Sequence, residues 1–408
     1  MATASSITRK ALIFIMVTTF LGAMGLGIIT PIAPYLVTRY VPNSDGIGVI
    51  VGLLTAIYAI SQFIAAPALG ALSDRFGRRS ILLICLLGSA VGYLLLGIGG
   101  ALWVLFLGRI IDGLTGANNG IINACIADII PADQRGKYFG WTGAAMGVGF
   151  ILGPAIGGML AKFGYEVPFY VAATVTFANV IYGFFFMPET LPVTARVSAI
   201  KASQLNPVST LGKVMAMPYL RWLLLAMFIY VLPFSALQAN LSLLVKDTLN
   251  WDADTTGVVV SVFGIMSIFV QAILLQWLLK RVSENKVAIA GAAFTLAAFL
   301  LLASIVLFKS AVPFMLGLIV FAVGEGFLNP ALGGMISGST DAQSQGEVQG
   351  GMQSIISLAG IAGPLFGGEL YDRFGHGSPY VAGAICCLLT LWVLVQFRGV
   401  AAAQPSPV

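Results

Sequence analysis

Long apolar stretches recur along the chain, and short polar segments punctuate them. A membrane helix needs about 20 mostly apolar residues. Stretches of that kind fall near 11–37, 47–71, 80–99, 101–126, 138–162 and 166–187, and again near 218–245, 256–279, 287–308, 312–337, 347–370 and 379–397. The pattern predicts an all-α integral membrane protein of twelve transmembrane helices in two pseudo-symmetric six-helix bundles. The N-terminal bundle is residues 1–187, the polar segment 188–217 is a cytoplasmic linker, and the C-terminal bundle is residues 218–408. Spans three and four are divided only by Gly99-Gly100, a turn signal. The first stretch is too long for a signal-peptide core and lacks a small-residue cleavage site, so it reads as a retained span.

Composition makes lipid the solvent for most of the exterior. Hydrophobic residues are 58% of the 408 and charged ones only 9%, against about 25% charged in soluble domains. Glycine, at 48 residues, lets membrane helices approach closely. Cys85, Cys125, Cys386 and Cys387 all lie in apolar runs without ligand-like spacing to His376, the one histidine. Neither a disulfide framework, a metal site nor any cofactor follows.

Lysine and arginine set the orientation. With the N-terminus in the cytoplasm, the inner segments carry Arg75, Arg78, Arg79, Arg135, Lys137, Lys280, Arg281 and Lys286 among others, and the outer ones only Arg39, Lys162, Lys246, Lys309 and Arg373. Both termini are expected in the cytoplasm of a cell with this protein in its inner membrane. The net charge of +5 then needs no nucleic-acid partner.

The chain repeats itself. Gly153-Pro154-Ala155-Ile156-Gly157-Gly158 recurs as Gly363-Pro364-Leu365-Phe366-Gly367-Gly368, and the same offset maps Gly116 onto Gly326 and Asn119 onto Asn329. Several matches at one offset indicate a duplicated six-span unit. Parallel repeats of this kind hold their substrate near the bilayer midplane between the halves.

Between spans two and three stands Gly70-Ala71-Leu72-Ser73-Asp74-Arg75-Phe76-Gly77-Arg78-Arg79. In it Gly70 would let helices approach, Asp74 would face a helix N-terminus, Gly77 would permit a tight turn, and the arginines would stay on the cytoplasmic side. This stretch resembles the signature loop of the major facilitator superfamily. Arg109, Gly113 and Gly116 resemble the superfamily's second motif, and Gly149 to Gly158 resembles the Gly-Pro motif of its drug:proton antiporters. Pro188-Glu189-Thr190 closes the first half in the usual place, and the first half is similar to tetracycline efflux proteins. The resemblance implies a cytoplasmic gate of Gly70, Asp74, Arg75, Gly77, Arg78 and Asp128. It also implies that Gly149, Gly153, Pro154, Gly157 and Gly158 bend span five and pack it against its symmetry mate, and that the protein is a monomer. One departure stands out. Tetracycline exporters carry acids in spans one and three where this chain has Gly22 and Gly92, and span nine also lacks an acid.

An ionisable group inside a bilayer is a functional candidate by default. Three lie well inside spans: Arg109, Asp112 and Glu325. Arg109 and Asp112, three residues apart, can pair along one helix. Asp112 and Glu325 are expected as the proton-coupling acids. A substrate cavity is expected from Met24, Tyr35, Tyr58, Gln62, Asn118, Asn119, Asn123, Tyr230, Phe234, Gln238, Asn240 and Asn329, an aromatic lining with scattered amides that suits a lipophilic ligand.

These features point to a secondary transporter that expels small organic molecules in exchange for protons. A proton-coupled importer or facilitator of a metabolite is the alternative within transport, and a non-transporting sensor the one outside it. An enzyme is not expected, since no nucleophile–base pair or metal-ligand set is apparent. A nucleotide-driven pump would need a Gly-x-x-x-x-Gly-Lys-Ser/Thr loop, which the chain lacks.

Overall fold

The computed structural model of the chain describes residues 2–41, 46–131, 134–198, 220–339 and 345–402, with residues 200, 212, 215 and 217. Most of the linker expected at 188–217 lies outside these. Among the described residues the structure is helical and contains no strand. In the first half the helices are α1 (Ala2–Thr38), α2 (Ile47–Phe76), α3 (Arg78–Ile98), α4 (Leu102–Gly116), α5 (Asn119–Ile129), α6 (Arg135–Ala161) and α7 (Val167–Phe186). The second half holds α8 (Leu220–Leu249), α9 (Ala253–Phe269, running on through a π-helical turn Val270–Leu275 and a short α-helical end Gln276–Leu279), α10 (Glu284–Phe308), α11 (Ala311–Gly338), α12 (Gln345–Phe374) and α13 (Ser378–Ala402).

Eleven of the described helical segments are long and apolar enough to cross a membrane. The stretch predicted as one span near 101–126 is instead two helices, α4 and α5, which together supply the twelfth crossing. Its break falls in Gly116-Ala117-Asn118-Asn119-Gly120, where Ala117 ends α4 and Asn118 precedes α5. Asparagine favours helix starts and glycine helix ends, so this run stops one helix and begins the next.

The chain divides into two compact units, Met1–Pro42 with Ile57–Pro207 and Asp252–Ser261, and Asn43–Ala56 with Val208–Trp251 and Val262–Val408. The N-terminal end of α2 thus clusters with the second unit and the N-terminal end of α9 with the first.

In the first unit, packing is set by a glycine row on α6. Without a hydrophobic drive between helices in lipid, association depends on close van der Waals approach, which small residues allow. A Cβ on Gly149 would come within 2.5 Å of Phe20 O, on Gly153 within 2.6 Å of Met24 O, and on Gly157 within 2.9 Å of Ile28 O. All three belong to α1. A Cβ on Gly158 would come within 2.6 Å of Ala253 O, and one on Gly257 of α9 within 2.3 Å of Pro154 O. The Gly-Pro segment packs on α1 and on the N-terminal end of α9. Close approach to another helix's backbone is what its small residues permit.

The second unit repeats the pattern. Gly363 and Gly367 of α12 lie against α8, at Leu232 O and at Asn240 Nδ2, while Gly368 faces the Gly48 carbonyl and Gly52 faces that of Pro364. One turn further, the Asp372 carboxylate accepts the Gly48 and Val49 backbone N–H groups at 3.0 and 2.8 Å. Those donors belong to the first turn of α2, which has no intrahelical acceptor for them. At the corresponding place in the first unit, Lys162 Nζ pairs with Asp254 Oδ2 at 2.9 Å. Just before α9, Asp252 Oδ1 accepts the Thr255 N–H at 2.8 Å, and this bond holds its carboxyl below the usual carboxylate range.

A branched side chain in the α6 row has only backbone to push against. Gly153→Val should destabilise the detergent-purified protein by about 1–3 kcal/mol, read as a lower thermal unfolding midpoint. Gly143→Ala, where a Cβ would meet nothing within 4 Å, should leave the midpoint unchanged.

Candidate functional site

In the first unit a cavity opens among α1, α2, α3, α4, α6 and α7. Its lining includes Thr18, Gly22, Tyr58, Gln62, Ser89, Tyr93, Asp112, Gly116, Asn118, Asn119, Phe150 and Thr176. The break after α4 contributes directly, because it turns Asn118 and Asn119 into this space. The break also leaves α4 with carbonyls that no further turn can satisfy. Gln62 Nε2 answers one of them, donating to Gly116 O at 3.2 Å, and also reaches the Tyr58 hydroxyl at 3.3 Å.

Asp112 and Arg109 are both buried, and Arg109 Nη1 lies 3.4 Å from Asp112 Oδ2, the pairing that their spacing predicts. The guanidinium also lies over the Tyr58 ring, 4.1 Å from its centroid. An ion pair out of water survives only when its charges are well matched and its polar atoms supplied, and the ring face adds a cation–π contact. Helix α3 leaves the room for this. A Cβ on Gly92 would come within 2.8 Å of the Asp112 Cβ.

In the second unit Glu325 is buried on α11. Its Oε2 accepts Gln271 Nε2 at 3.2 Å and its Oε1 accepts Asn329 Nδ2 at 3.4 Å. Phe234 stacks between Tyr230 and Phe321, with centroids at 6.3 and 5.9 Å, and Phe263 and Phe299 close on Phe321. The Tyr230 hydroxyl and both amide atoms of Asn240 are buried without a hydrogen-bond partner among the described residues.

The Gly70–Arg79 motif gathers around Arg78, which pairs with Asp74 and, through Nε, with Asp128 Oδ2 at 3.3 Å. Gly77 turns the chain here with φ 99°, a conformation that favours glycine. Glu189 Oε1 accepts the Arg78 backbone N–H at 2.8 Å and those of Thr190 and Leu191 at 3.1 Å, while Thr190 Oγ1 donates to Asp128. Arg75 is exposed against Phe76. Asp74 pairs with the guanidinium of Arg78, the first residue of α3. At Gly70 a Cβ would meet nothing within 4 Å, so no close helix approach is made there among the described residues.

Of the sequence-derived cavity residues, Tyr58, Gln62, Asn118 and Asn119 meet Asp112 around one space. Met24 is buried beside Gly149 and Gly153, and Tyr35 stacks on Tyr165. Asn123 and Gln238 are exposed. Sequence reasoning missed Gln271, Ser89, Tyr93 and Glu189. For Glu189 a signal exists in the Pro-Glu-Thr segment, but nothing in the sequence names its partners. Among the described residues no group of three His, Cys, Asp or Glu could hold a metal ion.

Residues 15–364 and 223–407 match the Major Facilitator Superfamily. The chain is 35% identical over 387 residues to the class C tetracycline resistance protein of Escherichia coli, covering 94% of this chain and 96% of the relative. It is 27% identical to multidrug resistance protein 2 of Bacillus subtilis, over 93% and 94% of the two chains. Among solved structures, a bacterial homolog of the human lysosomal transporter Spinster superposes with a TM-score of 0.79 at 14% identity, covering 97% of this chain and 98% of that one.

Losing one member of a buried ion pair strands the other. Arg109→Met should cost about 3–5 kcal/mol of stability, and the double variant Arg109→Met/Asp112→Asn should recover part of it in the same thermal-unfolding measurement.

Proposed function

Since the chain belongs to the major facilitator superfamily, we propose that it is a proton-coupled antiporter that expels small lipophilic organic molecules by alternating access. One observation carries the reading, the near full-length identity to a tetracycline resistance protein. The kinship to a multidrug resistance protein favours export over the importer alternative. The chain is a multi-pass membrane protein. Residues 1–187 and 218–408 are its two functional halves, joined by 188–217. It works as a monomer in the inner membrane with both termini in the cytoplasm, its partners being protons, a small-molecule substrate and lipid, with no nucleic acid. It is a carrier and catalyses no covalent chemistry.

Asp112 and Glu325 are the proton-coupling acids, with Arg109 partnering Asp112. Geometry supports this on two counts. Both acids are buried, as groups that move protons across a bilayer must be. Tetracycline exporters carry an acid at the position of Gly92, and the Asp112 side chain stands against that glycine. A carboxylate is thus present at the same place, presented by the neighbouring helix. Tyr58, Gln62, Asn118 and Asn119 then supply polar contacts for substrate in the first half, and Tyr230, Phe234, Asn240 and Asn329 an aromatic and amide surface in the second.

Inverted membrane vesicles with an imposed acid interior should accumulate tetracycline or ethidium, and a protonophore should abolish the uptake. Accumulation without a gradient defeats the antiport mechanism. Glu325→Gln and Asp112→Asn should each suppress gradient-driven accumulation while sparing substrate counterflow, which needs no net proton movement. Unchanged driven transport in either variant removes that acid from the mechanism.

A further inference from the structure

A π-helical turn is rare and often marks a functional position within a helix. Helix α9 carries one at Val270–Leu275. One extra residue in a turn rotates the downstream part of the helix by roughly 100° relative to regular winding, so the winding decides which way α9's side chains point. Inside this turn Gln271 reaches the Glu325 carboxylate at 3.2 Å. Room for the contact comes from Gly326, where a Cβ would stand 2.6 Å from Val270 Cγ1 and 3.5 Å from Gln271 Cγ. The π-turn, the glycine and the amide–carboxylate bond form one local arrangement.

We propose that Gln271 is the positioning residue for Glu325, an amide that keeps the carboxyl group hydrogen-bonded both before and after it takes up a proton. The inference rests on the reading of Glu325 as a proton-coupling acid. A carboxylate only accepts hydrogen bonds, whereas a protonated carboxyl also donates one. A side-chain amide has both NH2 donors and a carbonyl acceptor, so a half-turn of its terminal bond matches either form. When a proton arrives on Oε2, the N–H···O bond gives way to O–H···O=C with no change of partner. A guanidinium or ammonium has donors alone and serves only the carboxylate. The other groups facing Glu325 are Asn329, one turn along its own helix, and Tyr230 of α8, near enough to feel its charge. Among the described residues no cation pairs with it. Asn329 needs only ordinary helical spacing to make its bond. Gln271 comes from another helix, and the π-turn is what presents it.

The purified full-length protein in detergent is titrated with pH while the protonated-carboxyl C=O stretch is followed by infrared difference spectroscopy, with Glu325→Gln identifying the Glu325 band. Gln271→Met keeps the side chain's length and removes the amide. The band should move to the higher frequency of a carboxyl that has lost a hydrogen-bond partner, and tetracycline accumulation driven by an acid interior should fall about tenfold. In the Glu325→Gln background the same change should have no further effect on driven accumulation. The exchanged pair Gln271→Glu with Glu325→Gln puts the acid on the π-turn and the amide on α11. It should restore driven accumulation above that of Glu325→Gln alone, a rescue that a purely structural glutamine would not give. A band unmoved in Gln271→Met overturns the proposal even if Glu325 titrates, and failure of the exchanged pair overturns it if Gln271→Met does not fold. Absence of any band lost in Glu325→Gln instead overturns the coupling role of Glu325, and the proposal with it.

Discussion

Hydrocarbon offers no hydrogen bonds, so every backbone N–H and C=O within the spans must find its partner inside the protein. A regular helix does this by itself, and any departure from one has to be compensated by a side chain. Two departures concern the buried acids. Helix α4 stops at Gly116, and Gln62 from α2 takes the exposed carbonyl. Helix α9 changes its winding at Val270–Leu275, beside Gly326. Each irregularity lies next to a buried acid, α4's end one turn past Asp112 and the π-turn against Glu325. Irregular backbone at membrane depth is tolerated where it lines a cavity or is buried in protein, and both of these locations meet that condition.

The duplication is visible in contacts as well as in letters. Pro154 and Gly158 meet Gly257 and Ala253, while Pro364 and Gly368 meet Gly52 and Gly48, so the repeated Gly-Pro segment makes the same backbone approach in each unit. The acids do not follow the repeat. Asp112 faces a guanidinium and Glu325 faces two amides. A guanidinium can partner only the charged form, and an amide can partner both. The two halves therefore present chemically different acids on equivalent scaffolds, which is what a duplicated frame permits once its helix packing is fixed by glycines elsewhere.

Much of this was legible in the sequence because lipid imposes a coarse code. Span length, the glycine-rich repeat and the Arg109–Asp112 spacing all follow from one-dimensional rules, and the structure realises each. The break at Ala117-Asn118 was concealed by apolar residues on both sides, although the Gly-Ala-Asn-Asn-Gly run carried the signal. The π-turn had none, because Val270 to Leu275 reads as ordinary apolar helix and the residues packed against it, Gly326 and Glu325, lie far away in sequence. Glu189 joined the Arg78 cluster for a similar reason. Its three bonds go to backbone N–H groups, which no side-chain pattern records. Gly70 went the other way, a motif glycine whose Cβ position is open.

The space around Asp112 also explains an absence. A Cβ on Gly92 would lie 2.8 Å from the Asp112 Cβ and 2.8 Å from the Gly108 carbonyl, closer than real side-chain atoms approach. Any side chain on α3 at that level needs α4 to withdraw, and α4 is held there by Gly108, whose own Cβ position is 2.9 Å from Gly92 O. Position 92 therefore admits no side chain while α4 stands where it does, whatever residue occupies position 112. The buried carboxylate beside the cavity is carried by α4, with Arg109 of the same helix as its partner.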